Sequence, residues 1–185
     1  MLISPRVAIQ NGWITHHQYS NISDWENNKN ISPNAIDFTL DRVYAFGDND
    51  VVISETGKTM ATTTQIEPVV QTLDDNTLYF HISGKEVYDG MSDFYVNVPE
   101  GVVCIPMIVR STLNRNGIIL TSGLYDSGYR GHIGFVIHNR RHGSTYIAAG
   151  TRVGQIAFVQ ADSAGMYLGG WNHKQGTHYT DNNVI

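Results

Sequence analysis

Between Val51 and Val159 the apolar residues of this chain come in short, β-branched runs broken by turn-forming residues. Ile66 to Val70, Leu78 to Ile82, Phe94 to Val98 and Val102 to Val109 are the clearest runs. Gly57, Pro68, Asp74-Asp75-Asn76, Gly84, Gly90 and Pro99-Glu100-Gly101 punctuate them. An amphipathic helix needs apolar residues about every three or four positions over several turns, whereas a strand needs only a short alternating stretch. Many short strands with turn signals between them predict an all-β sandwich or barrel. With 185 residues, 18 of them Gly, and neither an internal repeat nor a linker, residues 1–185 read as a single domain.

The flanks refine this picture. Ser4-Pro5 before Arg6 to Asn11, with Gly12 just beyond, predicts a short N-terminal helix: Ser4 at the N-cap, Pro5 first inside, Gly12 past the end. Ser20 to Ser32 reads as a polar, Asn-rich loop interrupted by Trp25. Pro33 to Leu40 alternates apolar and polar residues and reads as a strand. Thr145 to Ala148 and Arg152 to Val159 read as strands around the turn Ala149-Gly150. The tail from Gly165 reads as mobile, or as ordered only on a partner.

A formal net charge of −5 argues against a nucleic-acid or anionic-membrane binder, and no stretch approaches a membrane span. The opening Met-Leu-Ile-Ser-Pro lacks the charged and apolar regions of a signal peptide, so a cytoplasmic protein is expected. Cys104 is the single cysteine, in the apolar run Val102 to Ile105, and reads as a buried structural thiol. The chain has 8 His, but His16 and His17 are adjacent, and His138 and His142 fall on a strand and a loop. No direct protein ligand for a metal is expected, and the sequence contains neither a phosphate loop nor a Gly-x-Ser-x-Gly elbow.

Three clusters can carry chemistry. Gly123 to Asn139 opens with a Gly-rich turn holding Asp126 and Tyr129, then becomes a strand that alternates faces from His132. A carboxylate on a Gly-permitted bend can be aimed at a water beside a substrate, although Asp-Ser-Gly is also an ordinary turn. Arg110-Ser111-Thr112-Leu113-Asn114-Arg115-Asn116-Gly117 places two Arg and two hydroxyls at a strand-to-turn junction. They could hold phosphate oxygens or simply form a solvated turn. Gly150 to Phe158 carries Arg152 and Gln155 on a Gly-started strand that, taken alone, reads as a surface edge.

Taken together and in order, these clusters resemble the dUTPase and dCTP deaminase superfamily. Gly123-Leu124-Tyr125-Asp126-Ser127-Gly128-Tyr129-Arg130-Gly131 is similar to the third dUTPase motif, usually Gly-Val/Leu-Ile-Asp-x-x-Tyr-x-Gly. Gly150-x-Arg152-x-x-Gln155 resembles the fourth motif, with Gly154 in place of its usual Ala. Pro33-Asn34-Ala35-Ile36-Asp37 resembles the first. Arg110-Ser111-Thr112-Leu113-x-Arg115-x-Gly117 resembles the second in its deaminase form, and the N-terminal helix followed by Gly12-Trp13-Ile14 is also deaminase-like.

The resemblance implies a distorted jelly-roll fold of the dUTPase type and a homotrimer with active sites shared between subunits. It also implies a pyrimidine deoxynucleoside triphosphate as ligand, with Mg²⁺ held by the triphosphate. Carried over by position, Asp126 would be the general base that activates the attacking water. Tyr129 would pack on the sugar, and Arg110, Ser111, Thr112, Arg115 and Gln155 would form the phosphate side of the substrate site. Gly123 and Tyr125 would lie beside the base, and Asp37 near the metal and water network. Residues 165–185 would form a C-terminal lid, with Lys174 and Gln175 as its contacts, in a tail similar to that of deaminases.

One position separates the two branches. Deaminases place a catalytic Glu ten residues after the motif Asp, and here that position is Val136, which cannot shuttle protons. His132 and His138 share its face by strand alternation and could substitute only in a rebuilt site. The expected activity is therefore Mg²⁺-dependent hydrolysis of dUTP, or a related pyrimidine dNTP, to the monophosphate and pyrophosphate. A dCTP deaminase, monofunctional or bifunctional, and a non-catalytic dNTP-binding regulator are the alternatives.

Overall fold

The computed structural model describes residues 1–70, 76–162 and 165–169. In chain order it contains β1 (Leu2–Ile3), α1 (Pro5–Gln10), β2 (Ile14–Thr15), α2 (Ile22–Asn27), β3 (Ile36–Thr39) and β4 (Arg42–Phe46). Then follow β5 (Val52–Ser54), β6 (Gly57–Thr59), β7 (Thr63–Ile66), β8 (Val69–Val70), β9 (Leu78–Ile82) and β10 (Val87–Asn97). The last are β11 (Val102–Val109), α3 (Ser111–Arg115), β12 (Ile118–Thr121), β13 (Arg130–Asn139), β14 (Thr145–Ala148) and β15 (Arg152–Gln160). Among the described residues, no helix is long and apolar enough to cross a membrane.

Two principal sheets face each other. In the first, β15 pairs with β11 on one side and with β1 and β3 on the other. In the second the order is β12-β13-β10-β4-β7, and β2 extends the pairing of β10. Ile36, Phe38, Cys104, Ile156 and Phe158 from the first sheet join Val43, Phe94, Val96, Ile133, Phe135 and Ile137 from the second in one buried core. Apolar residues at every second position of β13 and β15 supply that inner face, as strand alternation requires. Burial pushes the Cys104 thiol well above its ordinary range, so it is a structural residue as read from sequence.

Several local expectations change. The loop over Ser20 to Ser32 contains α2: the Asn21 side chain accepts from the Asp24 N–H at 3.2 Å, and the Asp24 carboxylate accepts from the Asn21 N–H at 3.1 Å. This reciprocal cap starts a helix that buries Trp25 against Phe94, with ring centroids 5.3 Å apart. Gly90 lies inside β10, not at a break, because the Phe135 side chain crosses the space a Cβ would fill. The run Ile66 to Val70 divides into β7 and β8 around Glu67-Pro68, where proline has no N–H for a ladder. The strand from Arg152 is central, not an edge: partners flank β15 on both sides. Residues Ser111 to Arg115 wind into the short helix α3 instead of a simple turn, ending at Gly117 with φ +75°.

Candidate active site

Residues from the first, second and fourth motifs meet on the outer side of the first sheet. Asp37 and Gln155 are directly paired across β3 and β15, which puts their side chains on the same face. Asp37 is buried, and one of its carboxylate oxygens accepts from Arg110 at 2.7 Å. The other accepts from the Ser32 hydroxyl at 3.2 Å and lies 3.6 Å from Arg152. A register shift between Arg152 and Gly154 brings Arg152 to this carboxylate, and the same guanidinium donates to the Lys29 carbonyl at 2.6 Å. Gln155 donates to the Ser32 hydroxyl at 3.3 Å. Ser111, Thr112 and Arg115 stand exposed on α3, immediately after Arg110. The result is a cationic, hydroxyl-bearing rim anchored on one buried carboxylate.

The third motif builds a separate wall. Tyr125 pairs with Cys104 through both backbone hydrogen bonds, which ties the segment to β11. The Asp126 carbonyl accepts from the Tyr129 N–H at 3.0 Å, closing a turn that Gly128 completes with φ +89°. Ser127 locks the turn by donating to the Val102 carbonyl at 2.6 Å. Asp126 is thereby left exposed at the rim of a cavity of about 260 Å³. Thr121, Ser122, Tyr125, Tyr129, Val136 and Tyr167 are among its lining residues. A second cavity, lined by Val103, Ser127 and Asp162 among others, shares Leu124, Asp126 and Tyr167 with the first.

The tyrosines give this wall its character. Tyr125 and Tyr129 stack with ring centroids 4.7 Å apart, and burial raises both phenols well above their ordinary range, so both stay neutral donors. Tyr129 lies over Gly131, where any Cβ would meet its ring, and donates to the His132 carbonyl at 3.2 Å. The glycine two residues after the motif tyrosine is thus a steric requirement. Tyr167 donates its N–H to the Ser127 carbonyl at 2.6 Å and brings its ring to 6.0 Å from Tyr129.

Of the residues expected in the site, Asp126, Tyr129, Tyr125 and Gly123 come together at the first cavity. Asp37, Arg110 and Gln155 come together at the rim with Ser32, which sequence reasoning did not single out. Among the described residues, neither cavity beside Asp126 is lined by Arg110, Ser111, Thr112, Arg115 or Gln155. Within one chain the Asp126 cavities and the Arg110 rim are thus built from different residues. Lys174 and Gln175 lie outside the described residues. Tyr167 and Ser122 were also missed; Tyr167 docks through a backbone N–H, for which no residue type is a signal.

Val136 lines the cavity, whereas His132 and His138 are not among its described lining residues. Burial, then the Arg42 charge, hold the His132 imidazole below its ordinary range, and its ring meets Tyr95 edge-on. His138 sits 3.2 Å from the Thr121 hydroxyl.

Among the described residues, His16, His17 and Asp93 offer ligand atoms within 4.8 Å of one another. The Gln18 N–H lies 3.2 Å from His16 Nδ1, and His16 Nε2 lies 2.5 Å from an Asp93 carboxylate oxygen. The trio is read as a structural hydrogen-bond cluster. For Mg²⁺ the fit is indirect. Both Asp37 oxygens are engaged by Arg110, Ser32 and Arg152, leaving an exposed rim suited to a cation that arrives with phosphate and water oxygens.

Comparison with known proteins assigns the family. The family model described as dCTP deaminase-like matches residues 10–161, and the chain belongs to that family. A probable deoxyuridine 5'-triphosphate nucleotidohydrolase of Methanopyrus kandleri is 30% identical over 139 residues, 74% of this chain and 84% of that protein. The protein of the same name from Methanothermobacter thermautotrophicus is 25% identical over 142 residues, 76% of this chain and 87% of that one. The crystal structure of 2'-deoxycytidine 5'-triphosphate deaminase from Agrobacterium tumefaciens superposes with a TM-score of 0.59 at 12% identity. That match covers 85% of this chain and 47% of the deaminase chain, so this chain spans about half of its length. The shared fold is the all-β jelly-roll type expected from the motifs.

Proposed function

We propose that this protein, one domain over residues 1–185, hydrolyses dUTP, or a related pyrimidine deoxynucleoside triphosphate, to the monophosphate and pyrophosphate. The observation that carries the reading is the exposed Asp126 carboxylate at the junction of two cavities, flanked by Tyr129 and with Val136 in place of a proton carrier. Asp126 takes a proton from the attacking water, and a positioned general base contributes roughly 10²–10⁴ in rate. Tyr129, locked over Gly131, offers its ring face to the sugar. Arg110, Ser111, Thr112, Arg115 and Gln155 hold phosphate oxygens, with Asp37 fixing the direction of Arg110. Mg²⁺ bound with the triphosphate supplies charge neutralisation at the phosphorus under attack.

Because, among the described residues, neither cavity beside Asp126 is lined by the phosphate-side residues, we infer that the site is completed between subunits. A cyclic trimer does so three times over in a closed assembly. The relatives named as deoxyuridine 5'-triphosphate nucleotidohydrolases support the hydrolase reading, and the family name keeps deamination as its rival. Incubation with dUTP, dCTP and dTTP plus Mg²⁺, with pyrophosphate and ammonia assayed together, decides between them. Pyrophosphate from dUTP without ammonia is expected. Ammonia from dCTP would assign a deaminase, and binding without either product would assign a regulatory protein.

A further inference from the structure

Strand β13 has a rung that its neighbour β12 leaves unpaired. β12 follows β13 from Ile118 opposite Asn139 to Thr121 opposite Val136, and then departs. In an antiparallel ladder the N–H and C=O of every second residue face the same neighbour, so Gly134 presents both groups towards the side that β12 has vacated. One side chain, Tyr125, meets both of them. The Gly134 N–H donates to the Tyr125 hydroxyl oxygen at 3.0 Å, and that hydroxyl donates back to the Gly134 carbonyl at 2.9 Å. Ser122 donates to the same carbonyl at 2.7 Å. Ser122, Tyr125 and Gly134 all line the cavity beside Asp126.

An unpaired rung of this kind suits a flat heterocycle. Its N–H can only donate and its C=O can only accept, so a free Gly134 would favour one order of groups on the base edge. Uracil offers a keto oxygen beside an N–H, whereas cytosine offers an amino group beside a bare ring nitrogen. A backbone pair separates those edges because its roles are fixed, while a hydroxyl can both donate and accept. Tyr125 stands where the resembling motif usually has Ile, which carries no hydroxyl to fill the rung.

We propose that Tyr125 is a specificity-determining residue: by closing the Gly134 rung it passes base reading to the reversible hydroxyl of Ser122, and the site accepts uracil and cytosine deoxynucleotides with similar affinity. This rests on the nucleotide-binding reading above. Stacking on Tyr129 fixes the Tyr125 ring, and the hydroxyl reaches Gly134 in that position.

The test is calorimetric titration of the non-hydrolysable α,β-imido analogues of dUTP and dCTP, with Mg²⁺, into the wild type, Tyr125→Ile and Tyr125→Phe. Affinities for the two analogues within about threefold are expected in the wild type, widening to about tenfold or more in Tyr125→Ile, the worth of one oriented hydrogen bond. Tyr125→Phe keeps the stacked ring, guards against a folding loss, and shifts the ratio in the same direction. A wild type that already separates the analogues by about tenfold or more, or variants with an unchanged ratio, would overturn the specificity role. Binding of neither analogue by the wild type would overturn the nucleotide reading itself, a distinct result.

Discussion

Phe38 and Gly154 face each other across the β3–β15 pair, and the Phe38 ring fills the space that a Cβ on Gly154 would need. The ring continues to Phe135 of β13, with centroids 5.3 Å apart, so this contact joins the two sheets. It explains why the fourth motif carries Gly here in place of its usual Ala. Inserting one methyl into a close-packed core costs about 1–3 kcal/mol. Gly154→Ala is therefore expected to lower Tm measurably, and Gly154→Ala combined with Phe38→Leu to lower it by less than the sum of the two singles. An unchanged Tm in the single variant would refute the packing argument.

The Asp37–Arg110 pair makes a second prediction. Removing the guanidinium leaves a buried carboxylate supported by Ser32 and, at 3.6 Å, by Arg152. A buried group that loses its charged partner costs about 1–3 kcal/mol or more. Arg110→Ala should thus destabilise the chain more than Asp37→Asn, and the double variant should fall well short of additivity. Chemical denaturation of the singles and the double measures this coupling. Simple additivity would mean that the pair is not an energetic unit.

The strands and the Asp126 turn were legible because period-two alternation and Gly-permitted bends are local signals. Residues such as Ile133, Phe135 and Ile137 state their face directly. The helix α2 was hidden because its cap is built from Asn21 and Asp24, not the Ser/Thr and Glu that advertise a capping box, and its buried contact is Trp25 alone. Gly90 misled for a related reason: a glycine looks like a break until the ring that crosses it, Phe135, is known. The Asp37–Arg110 pair spans 73 residues; the resemblance pointed to each residue separately, and nothing in the spacing showed that they meet.

Acid should loosen the fold in two stages. Burial, then the Arg42 charge, lower the His132 pKa in the folded chain, so the unfolded state takes up its proton first. Stability from this group is present above the ordinary histidine range, about pH 6.5, and is lost as pH falls below it. Asp93 titrates lower. Burial raises its carboxyl, but the hydrogen bond from His16, the charge of that ring and the bond from Thr39 outweigh burial and hold it below its ordinary value. Its contribution is present above about pH 4 and is lost as pH falls towards the folded value. Urea midpoints measured against pH should show His132→Gln flattening the upper stage and Asp93→Asn the lower one. Parallel curves for the wild type and both variants would contradict the assignment.

Asp126 lines the two cavities and Arg115 stands on exposed α3, so under the proposed sharing of sites between subunits their variants should complement each other. Asp126→Asn removes the base while keeping the shape of the exposed turn, and a loss of about 10²–10⁴ in kcat with little change in Tm is expected. Arg115→Ala, on exposed α3, should mainly raise KM through a lost phosphate contact. If each site takes its base from one subunit and its phosphate rim from the next, mixing the two inactive or weakened variants creates some sites with both halves intact. Random exchange in a ring leaves about a quarter of the sites in that state. Co-refolded equimolar mixtures assayed at low substrate should therefore recover up to about a quarter of the wild-type kcat/KM, above either parent, since neither parent can form such a site alone. Activity that equals the average of the two separate variants would show that each chain carries a complete site, and the proposed sharing between subunits would have to be abandoned.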